Sequence, residues 1–237
     1  MSAMKSTTQK ISIFDTPAYS ASEVTRILNL PSATVKAWAF GYNYKSGQKR
    51  FQPVIVPADQ QKRLLSFANL CELHVLSAIR RHHKVSLFKV RESIDYLRSQ
   101  LGSSEHPLID NQLHTNNIDL FVEHASQLLN ISRDGQISMR GDFEQALARI
   151  ERDSKGSPIR LFPFSRPSIS AVDQPKAVVI DPRVSFGRPI LTSAAIPTEI
   201  IADRFLAGDS PTEMAEDYRV EEKEIEEAIR FEQRRSA

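Results

Sequence analysis

Cationic and hydroxyl side chains gather between residues 42 and 50 in a pattern that suits phosphate binding. Aromatic residues flank a Ser-Gly turn there, which is typical of a β-hairpin. Cations at such a hairpin can neutralise phosphates and release counterions from a nucleic acid. The candidate phosphate-binding residues are Tyr42, Tyr44, Lys45, Lys49 and Arg50.

Two short helices are predicted directly before this hairpin. Ser20 and Glu23 have the spacing of a capping box, which predicts the start of the first helix. Ser32 is expected to be the N-cap of a second helix over residues 33–40, and Gly41 is expected to end it. Two helices followed by a hairpin predict a winged helix-turn-helix.

The second helix would be the one that enters the major groove of DNA. Val35 and Trp38 lie three residues apart and should face the core, whereas Ser32, Thr34 and Lys36 should face outward and contact DNA. The alternative is that both helices are only part of a helical core. Helices, turn, hairpin and charge agree with one another, so we favour DNA binding.

The net charge of +2 is unevenly distributed along the 237 residues. Residues 1–100 carry 15 Lys and Arg against 6 Asp and Glu, residues 101–160 carry 6 against 9, and residues 161–237 carry 10 against 14. The basic end therefore suits a nucleic acid and the acidic end a different partner. The lone Cys71 lies in an apolar run and is expected to be buried, which fits a reducing cytoplasm, and we expect no membrane association.

The expected fold is mostly α, of the α+β class. After the hairpin, the patterns predict helices at about 59–81, 87–101 and 143–150, strands at 120–122, 128–132 and 159–164, and a hairpin turn at Asp134-Gly135. The last part should contain a strand at 177–180 and three helices, at about 197–206, from Ser210 onward, and at 221–235. We expect a disordered arm at 1–14, a winged-helix domain with an α+β extension at 15–165, a linker at 166–176, and a three-helix, helix-turn-helix-like domain at 177–237.

Residues 19–38 resemble the winged helix-turn-helix of MerR-type regulators. The resemblance rests on Tyr19-Ser20-Ala21-Ser22-Glu23-Val24 and on Val35-Lys36-Ala37-Trp38. The pair of helices predicted downstream is similar to that family's arrangement as well.

The C-terminal part resembles the DUF433 family, which is found in VapB-like antitoxins. The matching motifs are Ile180-Asp181-Pro182, Gly187-Arg188-Pro189 and Gly208-Asp209-Ser210-Pro211, whereas Thr192-Ser193-Ala194-Ala195 stands where the family has Gly-Thr-Arg. With the N-terminal module, the chain resembles one branch of these antitoxins over nearly its whole length. The resemblance implies an antitoxin of a type II toxin-antitoxin system. Such a protein neutralises a PIN-type ribonuclease toxin, and it binds operator DNA to repress its own transcription. We expect this chain to bind its operator as a homodimer.

Arg183, Phe186 and Arg188 are the candidate toxin-binding residues. The two arginines could pair bidentately with carboxylates of a toxin, or they could brace the turn by bonding Asp181 or a helix C-terminus. We favour bracing for Arg188 and leave Arg183 open. The last predicted helix begins with a run of glutamates, which would repel phosphates. These glutamates suit a basic protein partner, or they are a solvated face.

Two other classes of function remain as alternatives. A stand-alone MerR-like transcriptional regulator would bind a small effector in an apolar pocket of the middle unit, around residues 120–164. An enzyme would need a recognisable set of catalytic residues, and the sequence contains none that we can identify. The six histidines lack metal-ligand spacing, and no nucleophile elbow or phosphate loop is present. We therefore expect no catalytic residue, metal or cofactor.

Overall fold

The computed structural model describes residues 12–43, 50–82, 87–100, 105–110, 118–129, 132–166 and 174–234. The fold is mostly helical with small antiparallel sheets, as predicted. The helices are α1 Ala21–Leu28, α2 Ser32–Phe40, α3 Phe67–His82, α4 Leu87–Gln100, α5 Ile118–Leu129, α6 Arg133–Leu147, α7 Thr198–Ala207, α8 Pro211–Tyr218 and α9 Glu222–Gln233. The paired strands are β1 Tyr19–Ser20 with β4 Leu64–Leu65, β2 Tyr42–Asn43 with β3 Arg50–Phe51, β5 Ile150–Arg152 with β6 Pro158–Leu161, and β7 Val178–Val179 with β8 Ile190–Leu191.

Local capping interactions set the first and last residues of the N-terminal helices α1 and α2. The Ser20 hydroxyl accepts from the Glu23 backbone and the Glu23 carboxylate accepts from the Ser20 backbone, so the predicted capping box is confirmed. The prediction that Ser32 is an N-cap is wrong. Pro31 occupies that position without a side-chain bond, and Ser32 is the first helical residue. Gly41 ends α2 at φ +68°, where an added Cβ would overlap with the Phe51 carbonyl, so only glycine fits.

Helix α3 lies at the centre of the larger hydrophobic core and packs against α1 and α6. The sequence predicts that this helix begins near Asp59, but it begins at Phe67. Residues 59–64 form a tight turn instead, since Asp59 and Leu64 exchange both backbone hydrogen bonds at 3.0 Å. The predicted burial of Cys71 is confirmed.

The middle of the chain is helical where strands were predicted. Residues 120–122 and 128–129 lie in α5, so the prediction of strands there is wrong, while residues 130–131 of the second predicted strand lie outside the described residues. Phe121, Val122 and Ala125 are buried. Ala125 follows Val122 by three residues and Phe121 by four, so the three side chains lie on one helical face. Short apolar runs do not distinguish a strand from a buried helix by periodicity alone, and here tertiary packing decides.

The predicted hairpin turn at Asp134-Gly135 is the first turn of α6. The hydroxyl of Ser132 accepts a hydrogen bond from the Gly135 backbone at 3.3 Å, so this serine caps the helix. The helix expected at residues 143–150 therefore begins ten residues earlier and ends at Leu147, and Ile150 belongs to β5. An Asp-Gly pair specifies a hairpin only when strands flank it.

The three C-terminal helices enclose a second, smaller core. Ile201 of α7, Met214 of α8 and Ile225 of α9 are fully buried there. The predicted capping box of Ser210 and Glu213, with proline at the first helical position, is confirmed.

A buried arginine joins the two halves of the fold. Arg149 is 5% exposed, and its guanidinium donates hydrogen bonds to four backbone carbonyls, those of Phe162, Pro163, Gln174 and Pro175. Burial lowers the pKa of Arg149 to about 10. The four carbonyls lie on both sides of residues 167–173, so one side chain fixes the two ends of this segment.

Packing is continuous across the boundary expected from sequence. Leu161 and Ile180 exchange backbone hydrogen bonds of 3.0 and 2.9 Å, and Ile180 is buried in the larger core. Within the expected linker Gln174 is buried, and within the expected arm the Phe14 ring lies 6.2 Å from that of Phe67. The division into domains stays a prediction.

Replacing Arg149 with methionine should strongly destabilise the protein. Methionine fills much of the volume but leaves four carbonyls without their donor, so we expect the free energy of unfolding to fall by about 3 kcal/mol or more. Urea denaturation measures this change. Arg149→Lys should give an intermediate loss, because an ammonium group has fewer donors than the planar guanidinium.

Arg140→Gln is the matched control. Arg140 is an exposed arginine that pairs with Asp119 and Glu144 at the surface, and its removal should change the unfolding free energy far less. Equal effects of the two substitutions would show that Arg149 does not hold the two halves together.

Candidate DNA-binding surface and partner-binding loop

The outer face of α2 presents part of the predicted DNA-contacting set. Ser32 and Lys36 are exposed and lie one turn apart, while Val35 and Trp38 are buried as predicted. Thr34 is half-buried and lies on the other side of the helix from Lys36. The structure therefore places Ser32 and Lys36 on one face and separates Thr34 from them.

The predicted hairpin follows α2 directly. Tyr42 pairs with Phe51 and Asn43 with Arg50, which confirms two antiparallel strands. The Tyr42 ring is 43% exposed and stacks on the buried Phe51 ring at 5.1 Å, so its hydroxyl can extend toward a ligand. Three predicted phosphate-binding residues of the hairpin tip, Tyr44, Lys45 and Lys49, lie outside the described residues. The side chain of Arg50 lies outside them as well.

One cationic residue beside α2, Arg63, is not among the DNA-binding residues predicted from the sequence. Arg63 was expected inside a long helix, but it lies in the turn at residues 59–64 with a left-handed φ of +55°. Its guanidinium carbon lies 4.5 Å from the centre of the Phe40 ring at the end of α2. The sequence contains one signal for this arrangement, the polar run Asp59-Gln60-Gln61-Lys62-Arg63 before the apolar helix.

The second candidate site is a strained loop in the C-terminal half. Ser185, Phe186 and Gly187 all have positive φ, at 48°, 55° and 73°. For the two residues other than glycine this conformation costs about 1–2 kcal/mol each. The strain presents the Phe186 ring outward, 95% exposed. Exposed aromatics held by strained backbone are typical of binding sites.

The arginines beside Phe186 have different surroundings. The Arg183 guanidinium donates to the Asp181 carboxylate at 2.8 and 2.6 Å, and Arg160 donates to the same carboxylate at 3.2 Å. Burial alone would raise the pKa of Asp181, but the hydrogen bonds from Arg183 and Arg160 outweigh it and the pKa is lowered. Arg183 therefore braces the turn. From the sequence we favour Arg188 for that role, but Arg188 is exposed and no described residue forms an ion pair with it.

A hydrogen bond fastens this loop to the helix-turn-helix. The hydroxyl of Tyr19 donates to the Gly187 carbonyl at 3.2 Å, in a buried position directly before α1. Burial is the main cause that raises the pKa of Tyr19, so this hydroxyl keeps its proton. An added Cβ at Gly187 would overlap with the Tyr19 hydroxyl, so the close approach requires glycine.

The glutamates at the start of α9 do not form one uniform face. Glu227 is buried and accepts hydrogen bonds from Ser165, Arg166 and Arg230. Burial would raise its pKa, but these donors outweigh the burial and lower it. Glu221, Glu222 and Glu226 are exposed. The face that a partner could meet is acidic, but one carboxylate of the run is an internal structural group.

A cleft of about 500 Å³ borders the middle unit. Its lining includes Asp15, Glu105, His106 and Asp110 beside residues 155–158. Phe14, Ala68, Ile109 and Pro158 share the lining with these charged residues, so the cleft is mixed in character, whereas the regulator hypothesis expects an apolar effector pocket.

Metal-binding and membrane-spanning features were searched in the described ranges. Within them, no three His, Cys, Asp or Glu side chains come together as metal ligands. No described helix has both the length and the apolar character that a membrane crossing needs.

Two family models match separate parts of the chain. Residues 17–94 match the model described as "Putative DNA-binding HTH domain". Residues 178–231 match the model described as "Protein of unknown function (DUF433)". The chain thus has a helix-turn-helix-type DNA-binding domain at its N-terminus, and the DUF433 resemblance is confirmed. The MerR resemblance stays a prediction.

Proteins from Mycobacterium tuberculosis are similar to the chain over most of its length. One described as "Putative antitoxin VapB45" is 27% identical, with 91% of this chain and 94% of that protein covered. "Uncharacterized protein Rv2308" is 24% identical, with 93% and 92% covered. The crystal structure of Rv2018 superposes with a TM-score of 0.66 at 25% identity, covering 92% of this chain and 100% of that one.

Gly187→Ala should destabilise the loop and its junction with α1. The added methyl group meets the Tyr19 hydroxyl, and alanine is strained at a φ of +73°, so the free energy of unfolding should fall by about 2 kcal/mol or more. Thermal unfolding monitored by circular dichroism measures the change.

Gly141→Ala is the control for this substitution. Gly141 lies inside α6 with no atom near its would-be Cβ, so alanine should stabilise the protein by about 1 kcal/mol. Gly187→Ala with undiminished stability would mean that the Tyr19 contact is not held in solution.

Proposed function

We propose that this protein is the antitoxin of a type II toxin-antitoxin system. It binds operator DNA through the N-terminal helix-turn-helix and represses its own transcription, and it neutralises a PIN-type ribonuclease toxin through the C-terminal half. The observation that carries the proposal is the pairing, in one chain, of a DNA-binding domain with a separate strained loop that exposes Phe186. The similarity to a protein described as an antitoxin, over 91% of this chain, supports it.

The DNA-binding half uses α2 and its surroundings. Ser32 and Lys36, on the exposed face of α2, contact base edges or phosphates in the major groove. The hairpin binds phosphates through five side chains, those of Tyr42, Tyr44, Lys45, Lys49 and Arg50. A homodimer would place two such helices about one turn of DNA apart on a palindromic operator.

The toxin-binding half uses Phe186 as an apolar anchor and Arg188 as a cation for a carboxylate of the toxin. Aromatic and arginine side chains dominate the energetics of protein interfaces, and these two are exposed two residues apart. Arg183 contributes by holding the turn through Asp181. The exposed glutamates of α9 complement a basic ribonuclease and speed its association.

The DNA-binding half predicts a steep salt dependence for the promoter fragment upstream of this protein's own gene. Lys49→Ala/Arg50→Ala removes two phosphate contacts, so the slope of log Kobs against log salt should flatten by about two. Fluorescence anisotropy with a labelled duplex across a salt series measures both slopes.

Lys155→Ala/Lys223→Ala is the matched control. It removes two exposed cations from surfaces away from α2, and its slope should equal that of the wild type. A wild-type protein that binds no duplex at low salt would overturn the proposed DNA-binding role.

The toxin-binding half predicts that Phe186→Asn separates binding from stability. Asparagine tolerates a left-handed backbone and the ring is exposed, so the unfolding free energy should change by less than about 0.5 kcal/mol. Loss of an aromatic anchor should weaken binding to the proposed PIN-type toxin by about thirtyfold, or 2 kcal/mol. Calorimetric titration with that protein measures the affinity.

Ile137→Ala is the control for Phe186→Asn. Ile137 is also a largely exposed apolar residue, but it lies on α6, outside the strained loop. Its removal should leave toxin affinity unchanged. Equal affinities of Phe186→Asn and the wild type would remove the loop from the proposed interface.

A further inference from the structure

A groove of about 710 Å³ runs beside α2, on the side away from the core. One wall is the exposed face of α2 with Lys36, and the opposite wall is the turn at residues 59–64 with Gln60 and Arg63. Its other lining residues are small, aromatic or amide-bearing: Ala33, Ala37, Phe40, Gly41, Tyr42 and Asn43. The charged residues among them are two cations, one on each wall, with no carboxylate among the described lining.

The turn that carries Arg63 is rigidly built. Asp59 and Leu64 exchange two backbone hydrogen bonds, and the Asp59 carboxylate accepts from the Lys62 backbone at 2.8 Å. The buried Asn69 side chain accepts from the backbone of Ala58 at 2.9 Å and of Ser66 at 3.1 Å. The turn therefore has a fixed position relative to the first turn of α3.

The guanidinium of Arg63 is available to a ligand although it lies over the Phe40 ring. Its carbon is 4.5 Å from the ring centroid, and such a cation–π contact leaves hydrogen-bonding capacity on a group with five N–H donors. No described residue accepts a hydrogen bond from it. The left-handed φ of Arg63 is a strain of the kind found at binding positions.

We propose that this groove binds the phosphodiester backbone of one DNA strand, with Arg63 as a phosphate clamp opposite Lys36. The inference rests on the proposed DNA-binding function and adds a second arm to it, separate from the hairpin at residues 42–51. Cations on both walls neutralise successive phosphates, and Ala33, Ala37 and Gly41 let the sugar-phosphate chain approach closely. A contact of this kind fixes the register of α2 on the duplex without reading the sequence.

The test compares two variants of Arg63 in the full-length protein, by anisotropy with the promoter duplex across a salt series. Arg63→Gln removes the charge, so affinity at low salt should fall about tenfold and the salt slope should flatten by about one. The same loss should appear on an unrelated duplex, because a phosphate contact carries no sequence information. Arg63→Lys keeps the charge and should keep the slope.

Lys62→Gln is the matched control. Lys62 is the neighbouring exposed cation, but it does not line the groove and pairs with Asp59 at 4.0 Å. Its slope should match that of the wild type. Circular dichroism of each variant shows whether the fold is kept. If Arg63→Gln unfolds, Arg63→Met replaces it, because methionine removes the charge but keeps an unbranched chain beside Phe40.

A scan of the duplex with single methylphosphonates identifies the phosphate itself. One substitution that removes a single phosphate charge should weaken the wild type and Arg63→Lys, yet leave Arg63→Gln unaffected, because that contact is already lost. A purely structural role of Arg63 would leave no such phosphate. Equal salt slopes of wild type and Arg63→Gln would overturn the groove proposal alone. Absence of DNA binding by the wild type would overturn the proposed function together with it.

Discussion

The buried guanidinium of Arg149 is the interaction on which the arrangement of this fold depends. A planar group with five donors satisfies four carbonyls at once, on the two residues after β6 and on the segment before β7. A buried arginine without these acceptors would be costly, and the carbonyls without the arginine would be unsatisfied. Each side therefore requires the other. The chain that leaves the larger core at Ser165 must return at Gln174, and the C-terminal helices take their position from this return.

Two further contacts attach the C-terminal half to the helix-turn-helix. The Tyr19 hydroxyl binds the Gly187 carbonyl, and the Arg234 guanidinium donates to the Ile27 carbonyl at 3.0 Å. Ile27 is in the last turn of α1, where carbonyls lack a donor from their own helix, so α9 completes the end of α1. The strained Phe186 loop and the DNA-binding helices are thus parts of one connected body of hydrogen bonds.

Three of the six described residues other than glycine with a positive φ lie where we place ligand contacts. Ser185 and Phe186 are left-handed in the loop assigned to the toxin, and Arg63 is left-handed in the turn assigned to DNA. In each place the surrounding contacts hold the strain, through Arg183 and Asp181 in the loop and through Asn69 in the turn. A relaxed backbone would direct these side chains differently. The strained backbone therefore lowers local stability but fixes an exposed side chain in the direction that ligand binding needs.

The sequence by itself determined the features that depend on bonds within about four residues. The capping boxes at Ser20 and Ser210, the end of α2 at Gly41, and the hairpin that follows are read directly from residue spacing. Tertiary structure decided what depends on distant partners. The run at residues 118–129 is a helix because its apolar face meets Phe143, and Asp181 also accepts a hydrogen bond from Arg160, about twenty residues away in the chain. Arg63 reaches Phe40 only because the chain folds back by more than twenty residues. Local spacing carries no information on such contacts, since their formation requires the whole core to close.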